Sequence, residues 1–336
     1  MRIFISGFGN IGLGFFETLL IRETFLKNRY KDDPVTVVGV VDSKSYEYND
    51  DEYKICGFCT IGSKKTTGRL HKDRNSLSCR EIMDMVDFDL LIEAGPTNIT
   101  DGGEGLENIR HALRKGKDVI TVNKGPLALA YSELSALAEK NGCHLRFEGS
   151  VGGGMPIINL CNEALVGQRI ISIQGIFNGT CNLILSRMDS GIPFEQALRE
   201  AQQLGYAESD PTYDIKGIDA ASKVSILANS VFNRNVTFSD VSVTGIDTVT
   251  GEAVRMAAEK GMVIRHIGEI SNDKLEVAPR LIPKNHPLSV SGSLNKAQVI
   301  TDMAGPITVS GRGAGKSETG SAILSDLIWI MDRRNA

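Results

Sequence analysis

The sequence predicts an α/β protein: a doubly wound parallel sheet in the N-terminal half, followed by an α+β domain with a mixed sheet. Three observations predict it. Short continuous apolar runs alternate with helical periodicity up to residue 148, the pattern of parallel strands covered on both faces by crossover helices. A glycine-rich turn joins the first strand to the first helix. After Glu148 the texture changes, at Gly149-Ser150-Val151-Gly152-Gly153-Gly154-Met155-Pro156, to longer helical segments and two late strand-like runs. The 336 residues are about twice a domain of ~100 to 200. We therefore expect a domain of residues 1–148, completed by 311–336, and a substrate-binding and dimerisation domain of 149–310.

Arg2 to Ser6 reads as a strand, and the apolar period through Phe15, Phe16, Leu19, Leu20 and Phe25 as the first helix. Val35 to Val41 is a second strand, ending at Asp42, and Asp89 to Glu93 a third. Leu106 to Lys115 is helical, and Asp118 to Val122 is a strand running into Asn123-Lys124-Gly125-Pro126. Ser132 to Asn141 is a helix stopped by Gly142, with His144 to Glu148 as the next strand. In the second domain Ile170 to Phe177 is a strand, and Asn182 to Met188, Phe194 to Leu204 and Ile218 to Val231 are helices. Leu275 to Ile282 and Ile307 to Ser310 are strands of the mixed sheet, and Gly320 to Met331 is a helix expected to pack back on the first domain.

Lys plus Arg count 37 and Asp plus Glu 41, a net charge of −4, which disfavours nucleic acid and anionic membranes as partners. No apolar run approaches the ~18 residues of a spanning helix, and glycines interrupt the first apolar stretch before a signal-peptide core forms. A cytoplasmic enzyme is expected. Six cysteines are too sparse for a disulfide scaffold. Cys56 and Cys59 have CxxC spacing, but Cys79, Cys143, Cys161 and Cys181 form no second half and His71 and His144 stand alone, so reduced thiols are expected rather than zinc.

Gly7-Phe8-Gly9-Asn10-Ile11-Gly12 follows an N-terminal strand, precedes a helix and is followed by an acid, Asp42, about 30 residues on. That arrangement is a Rossmann-type dinucleotide site: a tight turn, close backbone approach to a pyrophosphate, and a helix start that favours phosphate. Asp42 would accept hydrogen bonds from the adenosine ribose of NAD, whereas Ser43 and Lys44 would hold the extra phosphate of NADP. Gly311-Arg312-Gly313-Ala314-Gly315-Lys316-Ser317 lacks the first glycine of a P-loop, Ser310 standing there. It reads instead as a close-packed entry to the last helix, against either the first domain or the cofactor.

The stretch from Gly205 to Lys223 places Glu208, Asp210, Asp214 and Asp219 around two apolar helices, with Asp219 and Lys223 at i,i+4. Ala220, Ala221, Val224, Ile226, Leu227 and Ala228 leave that helix little polar surface, so the pair is expected to face a cleft rather than form a surface ion pair. Acids beside a lysine suit a substrate carrying an ammonium and a reacting oxygen. Lys124, at the carboxyl end of a parallel strand, is the second candidate, because ligands bind at that end of open α/β sheets.

These residues together resemble the homoserine dehydrogenases, in the short form without a C-terminal regulatory domain. The likeness covers nearly the whole chain. It rests on the glycine turn, on Thr121 to Ala128, on Phe147 to Pro156, on Asn178-Gly179-Thr180 and above all on Gly205 to Lys223. The resemblance implies interconversion of L-homoserine and L-aspartate 4-semialdehyde with NAD or NADP, in the branch leading to threonine, methionine and isoleucine. It implies Lys223 as proton donor to the aldehyde oxygen, Lys124 between nicotinamide and substrate, and Glu208, Asp214 and Asp219 on the amino and hydroxyl groups, with Tyr206 beside them. Gly95, Thr97, Gly205 and Gly315 join the glycine turn and Lys124 as cofactor contacts. A structural sodium or potassium ion would be held by Glu148 and by carbonyls at Val151, Gly153 and Met155. A homodimer is implied too. The sequence departs from the family at Cys181, where threonine is usual, at Gly95, where Ser or Thr would precede the proline, and over Cys56 to Lys65, which matches no family pattern.

Two other functions fit parts of this pattern. A semialdehyde dehydrogenase would use Cys181, just after Asn178-Gly179-Thr180, as nucleophile. A dinucleotide-binding sensor would bind without turnover, although binding alone requires no lysine and acid set. A mixed sheet with an exposed edge or face fits pairing across a two-fold axis. With no regulatory domain after residue 336, no threonine feedback is expected.

Overall fold

A computed structural model of the chain describes residues 1–48, 70, 72–74 and 77–334. Cys56, Cys59, His71 and the Cys56 to Lys65 segment lie outside the described residues. The chain divides into two compact units, residues 1–150 with 315–336, and residues 151–314.

The first unit is a sheet of β1 (Arg2–Ser6), β2 (Thr36–Val41), β3 (Ser45–Tyr48), β4 (Lys72–Asp73), β5 (Leu90–Glu93), β6 (Asp118–Thr121) and β7 (Leu145–Arg146). Among the described residues its order is β4-β3-β2-β1-β5-β6-β7. Strands β2, β1, β5, β6 and β7 run parallel, and β3 and β4 add an antiparallel edge beside β2. Both faces are covered, which explains the continuous apolar runs. Ile3 and Ile5 point into one buried cluster, with Phe15, Phe16 and Leu19 of α1 (Asn10–Ile21), while Phe4 points into the other, with Leu91 and Ile109. Strand order switches direction between β1 and β5, the position where open α/β sheets bind ligands.

Three boundaries differ from the sequence reading. The first helix breaks at Arg22, so that α2 (Glu23–Arg29) turns Leu26 into the core and leaves Phe25 exposed. After α3 (Cys79–Met83) and α4 (Gly103–Arg114), helix α5 runs Lys124–Lys140 and starts eight residues before Ser132. Its N-cap is Asn123, whose side chain accepts from the Gly125 N–H, and Pro126 is tolerated because a first-turn residue needs no N–H. The strand expected over His144 to Glu148 is only Leu145–Arg146; Glu148–Ser150 forms a 3₁₀ turn, its Glu148 N–H drawn 2.8 Å from Asp326 Oδ2 of the last helix, Lys316–Arg334.

The second unit is a mixed sheet of β8 (Ile170–Ile176), β9 (Ser242–Val243), β10 (Met262–Ser271), β11 (Leu275–Pro283), β12 (Leu294–Thr301) and β13 (Pro306–Arg312), in the order β13-β12-β8-β10-β11-β9. Only β9 and β11 pair in parallel. Helices α6 (Gly179–Asp189), α7 (Phe194–Gln203), α8 (Ile218–Phe232) and α9 (Gly251–Glu259) belong to this unit, with α6, α8 and α9 against the sheet. Strands β9, β10 and β12 are additions to the sequence reading. In β12 the buried positions are Asn295, Ala297, Val299 and Thr301, small or polar residues that hide the usual alternation. Two glycines of the stretch from Gly311 to Ser317 pack inside the same unit: a Cβ at Gly313 would fall 2.2 Å from Asn295 Cγ, and one at Gly311, within β13, 3.1 Å from Met155, whereas Gly315 belongs to the first unit.

Candidate active site

In the first unit, Gly7 takes φ +86°, and a Cβ there would lie 2.4 Å from the Ala94 carbonyl. The Gly7 and Phe8 N–H groups both donate to the Val41 carbonyl at 2.9 Å, and the Phe8 ring is buried against Phe16. These two residues therefore shape the turn. At Gly12 a Cβ would meet the Gly7 carbonyl oxygen at 2.3 Å, whereas at Gly9 nothing stands within 4 Å. Gly9 caps α1 without a side-chain hydrogen bond, and no acid lies in the first turn. Open space over an uncompensated helix start fits a pyrophosphate. Asn10 is exposed and Ile11 half-buried beside it.

Asp42, at the end of β2, is held by its own turn: Oδ1 accepts from the Lys44 and Ser45 N–H groups at 2.9 and 2.8 Å and from Ser45 Oγ. Ser43 and Lys44 are exposed, and Arg74 donates to the Asp42 carbonyl at 3.3 Å.

The carboxyl ends of β1, β5 and β6 carry a buried polar network that the sequence reading missed. Glu93 is fully buried; its Oε1 accepts from the Gly95 N–H at 2.8 Å and its Oε2 from Asn108 Nδ2 at 3.0 Å. Asn108 also donates to Ser6 Oγ. Burial pushes the Glu93 carboxyl above its ordinary range, against hydrogen bonds from Asn108, Ser6, Gly95 and Asn123. Asn123 donates to the Pro96 carbonyl at 3.1 Å and caps α5. The network thus fixes the Ala94 to Thr97 segment, Gly95 half-buried and Thr97 exposed, beside half-buried Lys124, the first residue of α5.

In the second unit, Asp219 and Lys223 lie one turn apart on α8, 4% and 7% exposed. Lys223 Nζ donates to Asp219 Oδ2 and to the Phe177 carbonyl, both at 2.6 Å. The surface ion pair weighed from sequence is thereby excluded, since this pair is buried. Asn178, the N-cap of α6, donates from Nδ2 to Asp214 Oδ1 at 2.6 Å and to Asp219 Oδ2 at 2.8 Å. Asn295 Nδ2 shares the Phe177 carbonyl at 3.2 Å. Four predicted or motif residues, Asn178, Asp214, Asp219 and Lys223, thus meet in one hydrogen-bonded cluster. Gly205, Tyr206 and Glu208 lie exposed on the loop after α7, where the Tyr206 carbonyl accepts from Thr180 Oγ1 at 2.8 Å.

Cys181 is not a nucleophile in this arrangement. It is fully buried in α6, its thiol donating to the Asp214 carbonyl at 3.2 Å. Burial, then the charges of Asp214 and Asp219, raise it well above the ordinary thiol range. Of the residues implied for a cation, Glu148 is buried in its 3₁₀ turn in the first unit. Val151, Gly153 and Met155 are buried in the second unit, where the Met155 carbonyl also accepts from the Ile157 N–H. Among the described residues no group of three or more His, Cys, Asp or Glu is placed to hold a metal. Gly315, entering the last helix, has φ +141° and would bring a Cβ against the Glu318 carboxylate.

Comparison with known proteins joins these two halves. The homoserine dehydrogenase NAD binding domain family matches residues 7–148, and the homoserine dehydrogenase family matches residues 156–328. A Methanocaldococcus jannaschii protein named homoserine dehydrogenase is 44% identical over 98% of this chain and 98% of its own. A Pseudomonas canavaninivorans protein named NAD(+)-dependent homoserine dehydrogenase is 42% identical over 72% of this chain and 70% of its own. A solved hyperthermophilic archaeal homoserine dehydrogenase in complex with NADPH has a TM-score of 0.84 at 28% identity, covering 99% of this chain and 98% of that one. With both halves matched and a full-length relative this similar, the chain belongs to the homoserine dehydrogenase family, NAD(P)-dependent oxidoreductases acting on a CH–OH group.

Proposed function

We propose that Lys223 moves the proton in the interconversion of L-homoserine and L-aspartate 4-semialdehyde. The observation that carries this is the buried Nζ held 2.6 Å from both Asp219 Oδ2 and the Phe177 carbonyl. In reduction the aldehyde oxygen gains its proton from Nζ as the carbon becomes CH–OH; in oxidation Nζ takes the hydroxyl proton. A bound nicotinamide supplies the hydride chemistry. Asp214, Asp219 and Glu208 hold the substrate ammonium and hydroxyl by charge, with Tyr206 on the same loop, and Lys124 adds positive charge at the end of β6. The open helix start at Gly9 fits the dinucleotide phosphates, with Gly95, Thr97, Gly205 and Gly315 as further contacts.

Either nicotinamide cofactor is compatible with this reading. One relative is named NAD(+)-dependent and another was solved with NADPH. Ser43 and Lys44 offer a 2′-phosphate a hydroxyl and a cation, while Asp42 remains the ribose acceptor for NAD. A sodium or potassium ion at Glu148 and the Val151, Gly153 and Met155 carbonyls is a structural part of the reading, as are a homodimer, a cytoplasmic site and a place in threonine, methionine and isoleucine synthesis. No helix among the described residues is long and apolar enough to cross a membrane.

The test is the initial rate at the nicotinamide absorbance band with L-homoserine, against NAD and NADP in parallel, with and without sodium or potassium. Lys223→Ala is expected to lower kcat by orders of magnitude with little change in cofactor affinity. Near-normal turnover would remove Lys223 from the mechanism.

A further inference from the structure

We infer that Asn178 is a positioning residue for the reaction: its one amide sets where the two substrate-binding carboxylates and, through Asp219, the proton-carrying lysine stand. This rests on the assignment of Lys223, Asp214 and Asp219 above. The amide's orientation is fixed from outside the site. Its Oδ1 accepts the Cys181 N–H at 2.8 Å as the cap of α6, so Nδ2 must face the acids and its two hydrogens go to Asp214 Oδ1 and Asp219 Oδ2, at 2.6 and 2.8 Å. The side chain is 4% exposed, so water does not substitute for it.

Two consequences follow. A neutral double donor between two carboxylates offsets their mutual repulsion without adding a competing cation, so both stay turned toward one point as acceptors. Asp219 Oδ2 also receives Lys223 Nζ, so of the two anchors of Nζ the carboxylate, unlike the Phe177 carbonyl, is placed by a chain of hydrogen bonds that begins at the start of α6. Three separate pieces of the fold, α6, the turn of helix at Thr212–Ile215 and α8, meet on this one side chain.

A simple capping role and a positioning role are separable, because Asp and Ser cap helices about as well as Asn but neither places an N–H₂ between the acids. Asn178→Ser and Asn178→Asp are therefore compared with wild type and with Lys223→Ala, each with a melting curve. We expect kcat lowered about 10- to 100-fold in both, the scale of loss for small misplacements at a reacting centre, with near-wild-type melting in N178S and lower melting in N178D, whose carboxylate is buried against Asp214 and Asp219. In N178D the added carboxylate should also move the pH at which homoserine oxidation rises toward higher pH, a shift that N178S should lack. Rates within about twofold of wild type in a folded variant, with the pH profile unchanged, would overturn the proposal. If Lys223→Ala is itself fully active, the failure belongs to the assignment of the lysine instead. If neither variant folds, exchange of the Asn178 side-chain amide in wild-type protein decides: slow exchange of both protons supports the role and fast exchange overturns it.

Discussion

His266 lies on β10 beneath the start of α8, 2% exposed, with Nε2 3.0 Å from the Thr244 carbonyl. Nε2 must carry the proton to donate to a carbonyl, which leaves Nδ1 a buried acceptor with no hydrogen-bond partner among the described residues. Burial, only partly opposed by the Thr244 bond, lowers the ring to about 4 from 6.5. Between those two values the unfolded chain binds the proton that the folded one refuses. Stability from this group is therefore complete above pH 6.5 and is lost as pH falls toward 4. The loss between pH 7 and pH 5 is about 2 kcal/mol. His266→Gln, which still offers Thr244 an N–H, should flatten that stretch of the stability curve when urea unfolding is compared at the two pH values; equal losses in both proteins would remove His266 as the cause. A Cβ at Gly217, the N-cap of α8, would come 3.1 Å from His266 Cε1, so protonation here acts on the helix that carries Asp219 and Lys223. Lys44 gives a second test: Lys44→Glu should lower kcat/KM for NADP more than for NAD, and equal effects would exclude it from the phosphate site.

Helix α1 and the last helix cross where both are bare. A Cβ at Gly320 would lie 2.7 Å from Thr18 Oγ1 and 3.0 Å from the Gly14 carbonyl, and one at Gly14 would lie 2.5 Å from Lys316 Cγ. Gly320→Val should cost about 1 to 3 kcal/mol by overpacking. It should also weaken dinucleotide binding, because the same α1 presents the phosphate-facing amides; a melting temperature and cofactor affinity equal to wild type would show that the helices can part at no cost. This crossing was half legible: the sequence marks the helix and its return, but not the glycine pair. The limits elsewhere have the same cause. Continuous apolar runs reveal β1, β2, β5 and β6 because both sheet faces are covered, and the Gly7 to Gly12 turn and the acids before Lys223 stand out by spacing. Glu93, Asn108 and Asn123 do not, since an acid ending a strand and two asparagines on different helices look like surface residues until topology gathers them. Asn178 stands out in the sequence only as part of the Asn178-Gly179-Thr180 motif, because its carboxylate partners lie 36 and 41 residues away. Helix α5 begins at Lys124 rather than Ser132, because Gly125 and Pro126, unfavourable in a helix interior, are tolerated in a first turn.

The sheet of the second unit meets helices on the face of Gly268, where a Cβ would touch Val224 of α8. On the opposite side of the pleat one row of cross-strand neighbours is polar: Gln174 opposite Glu269, with Nε2 to Oε1 at 3.1 Å, Gln174 opposite Gln298, and Gln298 opposite Thr308. Edge strand β13 alternates exposed and half-buried along its length, and Leu294, on the side of Gln298, adds apolar surface at 39% exposure. A polar ladder bordered by an apolar residue can match itself across a two-fold axis, because amide and hydroxyl groups both donate and accept and so tolerate meeting their own copies. A net charge of only −4 opposes such self-association weakly. Light scattering at micromolar concentration should accordingly give about twice 36.4 kDa, and a species at 36.4 kDa itself would contradict the dimer. Thr308→Glu sets the location: Thr308 is exposed, so the change leaves the fold intact, but in a two-fold pair it buries the same new charge from each copy. A shift toward monomer in that variant, with its melting curve kept, places the interface on this face. A dimer unmoved by it places the interface elsewhere on the molecule.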